Sequence, residues 1–158
     1  MTAPAGPITI GQARIAHGEG APVYLKWIKA FETGNPEIDA LHHELIQECN
    51  SLLLLVESGA PWSRIRADAS RLVEGCIQHF RREEEMLTHC RFPRSTAHVA
   101  EHRRLEQVMR GLVARMAKAD GSLEEHRDYP RALGPMMVDL IIRHDLDYRS
   151  HMLHQQGR

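Results

Sequence analysis

The sequence predicts an all-α protein, an up-down-up-down four-helix bundle with an irregular N-terminal arm. Three observations carry this expectation. Apolar residues recur at alternating steps of three and four along four separate stretches, turn signals rich in Gly, Pro and Asn separate those stretches, and the connections are short or moderate in length. Amphipathic helices joined in this way bury their apolar stripes most simply against their neighbours in the chain.

Residues 1 to 23 hold Gly and Pro at close intervals without a sustained period, and they read as an irregular arm; residues 24 to 158 form the bundle domain. Val23 to Phe31 contains Tyr24, Trp27, Ile28 and Phe31, enough apolar bulk to dock on a core. The turn signal Thr33-Gly34-Asn35-Pro36 follows, with Asn35 placed to cap a helix, Pro36 at its first position, and Glu37 and Asp39 at the positive end of its dipole. The first seam then runs through Ile38, His42, Leu45, Cys49, Leu52 and Val56 and stops near Ser58-Gly59-Ala60-Pro61. A second seam passes through Ile65, Ala69, Leu72, Cys76, His79, Glu83 and Met86, before a break at Arg91-Phe92-Pro93. Ser95 or Thr96 offers a cap for the third, which reads His98, His102, Leu105, Met109, Leu112 and Met116 and closes at Ala119-Asp120-Gly121-Ser122. After a segment interrupted by Pro130, Gly134 and Pro135, the fourth seam reads Met137, Leu140, His144, Asp147, His151 and His154.

Composition limits what such a bundle can do. With 158 residues, 42% hydrophobic and 26% charged, the chain is long enough for one proper core. A formal net charge of -1 gives no general attraction to nucleic acid or to an anionic membrane surface, and neither is an expected partner. No apolar run approaches a bilayer span and the N-terminus lacks signal-peptide features, so the expected location is the cytoplasm. Cys49, Cys76 and Cys90 are widely spaced and form no CxxC, which suggests reduced core thiols rather than disulfides.

Histidine is the excess, 11 of 158 residues, and its placement matters more than its number. His79 and Glu83, then His98 and His102, stand four apart, so each pair lies on one helix face. A rise of about 1.5 Å per residue along antiparallel helices puts His42, Glu83, His102 and Asp147 at a similar depth, roughly 10 Å from one end of the bundle. His79 and His144 fall about a turn deeper and His98 about a turn shallower. Seven ionisable side chains in an apolar seam need compensation. A bound cation supplies it by taking imidazole nitrogens and carboxylate oxygens, and five histidines with two carboxylates suit a pair of ions bridged by the carboxylates. Nitrogen and oxygen donors with no thiolate in register point to iron, with manganese or zinc also compatible. Asp147 reads either as a ligand or as an acceptor for a ligating imidazole. His151 reads as an extra ligand or as part of a solvated last turn.

The pieces that carry this site are IDALHHEL at Ile38 to Leu45, HFRREEEM at His79 to Met86, the Phe92-Pro93 break, HVAEH at His98 to His102, and His144, preceded by Trp27, Phe31 and Gly34. Together they resemble the hemerythrin family, in particular its single-domain bacterial members with the HHE cation-binding domain, from Trp27 to about Tyr148. The resemblance implies two iron ions with an oxo or hydroxo bridge, His98, His102 and His144 on one, His42 and His79 on the other, and Glu83 between them. The family's second bridging carboxylate, five residues after the last histidine, is Arg149 here. Asp147 is the expected replacement, and Tyr148 is a second oxygen donor to consider. The function implied is dioxygen binding for storage, delivery or sensing; an oxidoreductase acting on peroxide or nitric oxide is the alternative, and a partner-binding bundle with a structural metal is a third reading. The sequence leaves open whether the chain is an enzyme and whether it self-associates weakly through the N-terminal arm.

Overall fold

A computed structural model of the chain describes residues 24–119 and 126–156. The arm expected over residues 1–23 lies outside the described residues. A short 3-10 turn, Lys29–Phe31, leads into α1 (Pro36–Glu57), α2 (Trp62–His89), α3 (Ser95–Lys118) and α4 (Asp128–Asp139). From α4 the chain continues through a π turn, Leu140–His144, and a 3-10 turn, Asp145–Tyr148, into α5 (Arg149–Gln156). The contacts α1 with α2, α2 with α3, and α4 with both α1 and α3 close a four-membered ring of helices, the up-down-up-down bundle that the four seams imply.

Local chemistry fixes the ends. The Asn35 side chain accepts from the backbone N–H groups of Glu37 and Ile38 at 3.0 and 3.2 Å, capping α1 with Pro36 in its first turn. Gly34, at φ +91°, turns the chain into this cap, and a Cβ there would sit 3.4 Å from Leu153. Residues before the cap are held down by Asn50, whose amide exchanges two 2.8 Å hydrogen bonds with the backbone of Leu25. α2 ends where Arg91 takes φ 53° and the Phe92 N–H donates back to the Leu87 carbonyl at 3.0 Å, with Phe92 buried beneath the turn.

Two details depart from the sequence reading. Neither Ser95 nor Thr96 caps α3; Ser95 is its first residue, and the flanking Arg94 makes no capping side-chain bond. Pro130, Gly134 and Pro135 do not break the approach to the last helix but lie within α4. Pro130 falls in the first turn, where a missing N–H costs nothing, and Pro135 is on the exposed face, where water can serve the carbonyl that it leaves free.

The core divides into two apolar clusters. The larger is built from Leu45, Leu52, Ile65, Leu72, Phe80, Leu105, Met109 and Leu133 with their neighbours, and the smaller from Leu87, Cys90, Phe92, Tyr148 and Met152. Among the described residues, buried His42, His79, Glu83, His98, His102 and Asp145 are the polar exceptions in this interior, together with Thr33. No helix among the described residues is long and apolar enough to cross a membrane.

Candidate metal centre

α1 contributes His42, α2 contributes His79 and Glu83 one turn apart, and α3 contributes His98 and His102 one turn apart. The fourth corner is Asp145, the first residue after the π turn. All six side chains are buried, and four of them are fully inaccessible.

Every imidazole presents its Nε2 to the same small volume. The Glu83 Oε2 lies 3.1 Å from His102 Nε2, 3.3 Å from His98 Nε2 and 3.6 Å from His79 Nε2. Asp145 Oδ2 lies 2.8 Å from His42 Nε2 and 3.5 Å from His79 Nε2, and its Oδ1 lies 3.7 Å from His98 Nε2. His42 and His79 meet Nε2 to Nε2 at 3.2 Å, a contact in which one ring donates to the other unless a cation takes both lone pairs. Glu83 Oε2, His98 Nε2, His102 Nε2 and both Asp145 oxygens are buried without a hydrogen-bond partner. Buried nitrogen and oxygen donors crowded onto one another, each costing about 1–3 kcal/mol when unsatisfied, fit a site completed by cations.

The charges within the cluster offset its burial. Burial pulls the His42 and His98 imidazoles toward lower pKa, but contact with Asp145 for the first and Glu83 for the second raises both above the ordinary histidine value. Glu83, which burial alone would push up, is held well below the usual carboxylate range by His102, His98 and the charge of His79. The surroundings then orient the rings. Glu84 Oε1 lies 3.1 Å from His102 Nδ1, and Arg103 grips both Glu84 oxygens at 2.9 and 2.8 Å, so Nδ1 of His102 carries the proton and Nε2 keeps its lone pair for the centre. Phe80 stacks on the same ring at 4.2 Å, and Trp27 stacks on His43 beside His42 at 3.8 Å. Two overlapping groups result, His42, His79, Glu83 and Asp145, and Glu83, His98, His102 and Asp145, each with donor atoms within 4.8 Å of one another.

Of the seven residues the sequence nominates, the structure gathers His42, His79, Glu83, His98 and His102. His144 and Asp147 stand apart. His144 is half-buried with its Nε2 3.5 Å from Glu101, while Asp147 is exposed and paired with Arg94. His151 donates to the Cys90 carbonyl at 2.8 Å and faces the edge of Phe92. The cause is the π turn, whose i→i+5 closure adds one residue to the turn and moves every later inward position along by one. Asp145 replaces His144, Tyr148 replaces Asp147, and Met152 replaces His151. An alternative seam from Ile141 through Asp145, Tyr148 and Met152 steps by four, three and four, and its large aromatic was the available clue.

Residues 33–153 match the model of the hemerythrin HHE cation-binding domain. The chain belongs to the hemerythrin family. No curated protein matches it. The matched span begins at Thr33, just ahead of the α1 cap, and includes every residue of the buried cluster, so the hemerythrin match and the unsatisfied donor set identify the same metal-binding region.

Proposed function

We propose that this hemerythrin-family chain is a non-haem di-iron protein that binds dioxygen for storage, delivery or sensing. In this reading His42 and His79 serve one ion, His98 and His102 the other, and Glu83 and Asp145 are shared by both. The observation that carries it is the pair of overlapping four-residue groups with both carboxylates in common, which suits two ions side by side better than one. A ferrous pair, when bound, would supply the electrons and the open coordination position that dioxygen needs.

The chain's own residues would do the rest. Glu83 and Asp145 bring two negative charges against the ions, and the four Nε2 atoms bring neutral donors. The Glu84–Arg103 pair sets the tautomer of His102. Leu87, Phe92 and Met152 on one side and Phe80 and Leu105 on the other keep water away.

Reconstitution with ferrous iron under anaerobic conditions tests the reading. Two irons per chain are expected, with a visible-band change on admitting air that reverses when oxygen is removed. Fewer than two irons, or no spectral response, would overturn it. The alternative, oxidoreduction of peroxide or nitric oxide, is favoured by the Tyr148 hydroxyl, which places a proton donor against Glu83 where a reduction would draw on one. Catalytic loss of peroxide or nitric oxide by the ferrous protein with a reductant present would establish that reading instead.

A further inference from the structure

Glu83 and Asp145 face the imidazoles differently. Asp145 turns both oxygens toward them and has no other partner for either. Glu83 turns only Oε2 inward, because its Oε1 accepts the hydroxyl proton of Tyr148. Tyr148 is fully buried, its ring set edge-on to Phe92 and His98 at 6.1 and 5.7 Å, so the phenol has little freedom to swing away.

A neighbour on the chain ahead of α1 confines the phenol further. Buried Thr33 lies beside the phenol, and it donates its hydroxyl to Asp39 Oδ1 at 2.8 Å and its backbone N–H to the same oxygen at 2.7 Å. Thr33 ahead of the cap is thus fixed by Asp39 in the first turn of α1, and its packing beside Tyr148 limits where the phenol can move.

We infer that Tyr148 is a positioning residue that reserves one oxygen of Glu83, so that Glu83 meets metal through Oε2 alone while Asp145 offers both its oxygens. A neutral phenol gives a buried carboxylate a charge-assisted hydrogen bond, roughly twice as strong as a neutral one, and the packing around the buried ring keeps that donor in place. Removing the hydroxyl leaves Oε1 without its partner in the buried interior, where a metal ion is the group that can take it up. The inference rests on the proposed metal centre and makes its two carboxylates unequal.

Cobalt(II) loading of the full chain tests it, because the d–d absorption per cobalt falls as the coordination number rises. Wild type, Tyr148→Phe, Thr33→Val and, as a control at the other end of the bundle, Tyr129→Phe are compared at equal cobalt occupancy, with helical content checked by circular dichroism. Tyr148→Phe keeps the ring and removes only the hydroxyl. It is expected to bind cobalt with a lower and shifted d–d absorption, Thr33→Val to move the same way by less, and Tyr129→Phe to match wild type. Should Tyr148→Phe fail to fold, the direction of the Thr33→Val change decides. Cobalt binding with one unchanged spectrum across the variants would overturn the role of Tyr148. A phenolate-to-iron charge-transfer band in the ferric wild type that Tyr148→Phe lacks would overturn it too, by showing Tyr148 on the metal rather than on Glu83. Wild type that takes up no cobalt would overturn the metal centre itself.

Discussion

Asp145→Asn separates the register created by the π turn from the register that simple periodicity gives. The substitution is nearly isosteric and replaces a carboxylate whose two oxygens both face imidazoles, one at 2.8 Å from His42 Nε2. Loss of a residue that merely orients a metal ligand costs about 10–100-fold in affinity, so loss of a direct ligand belongs at or beyond the upper figure. At a metal concentration 100 times the wild-type dissociation constant, the bound ion stabilises wild type by about 2.7 kcal/mol. A variant weakened about 100-fold keeps RT ln 2 at that concentration, about 0.4 kcal/mol. For a chain of this size about 2–4 °C accompanies each kcal/mol, so the metal should raise the wild-type Tm by roughly 5–11 °C and that of Asp145→Asn by only ~1 °C.

Asp147→Asn and His144→Ala are the matched comparisons. Asp147 is exposed and paired with Arg94, so its loss costs about 0–1 kcal/mol of stability and leaves the metal-induced rise in Tm intact. His144 lies 3.5 Å from Glu101 and outside the buried cluster, and the same outcome is expected. Thermal melts with and without added ferrous or cobalt ion, backed by competition with a chromophoric chelator, read all three variants. If either comparison variant loses as much of the metal effect as Asp145→Asn, the inward position of Asp145 is refuted.

The remaining predictions concern the groups around the centre. Without metal, His42 and His98 have pKa values raised above 6.5, so their stabilising contribution is full below that pH and is lost as pH rises through the folded values; Glu83, depressed below 4.5, contributes above that pH and loses its effect as pH falls through its folded value. Metal-free melts should therefore peak on the acid side of neutrality, whereas metal affinity should climb with pH across the His42 and His98 range, because binding displaces their protons; a metal affinity flat between pH 6 and 8 would refute this linkage. Glu84→Gln weakens the acceptor that fixes the His102 tautomer and should cost about 10–100-fold in metal affinity by chelator competition, with little change in the metal-free melt. Phe80→Ala removes a fully buried ring stacked on His102 and should cost about 3–5 kcal/mol in urea unfolding. Burial pushes the Cys49 thiol up to about 12 and Cys76 well above its ordinary value, so neither should react with a disulfide reagent until the chain unfolds.

The part of the centre legible in the sequence lies on helices whose seams run unbroken for many turns. In α1, α2 and α3 the three-four alternation fixes which face is inward, and His42, His79, Glu83, His98 and His102 inherit that face from Leu45, Cys76 and Leu105 around them. Counting depth from the Asn35 cap and the Arg91 turn works because both ends are where the turn residues put them. On the fourth side the count fails for one reason, an added residue in a π turn, which periodicity cannot register because residues on both sides of the turn still alternate correctly. The Thr33–Asp39 contact was illegible on different grounds: small polar residues beside Gly34 and Asn35 serve turns and caps equally well, and only the fold shows Thr33 buried and bonded to Asp39.

That single added residue changes the chemistry as well as the register. Periodicity alone would give the centre a fifth imidazole and a carboxylate from the last helix. The π turn instead gives it Asp145 and the Tyr148 phenol, and leaves four imidazoles. Arg149, which stands where the family resemblance expects a carboxylate, then leaves no gap, because Asp145 already faces His42, His79 and His98 from the same helix side. A donor set with one nitrogen fewer and a phenol on Glu83 holds its cations less symmetrically, and Tyr148→Phe and Asp145→Asn probe that asymmetry from opposite sides.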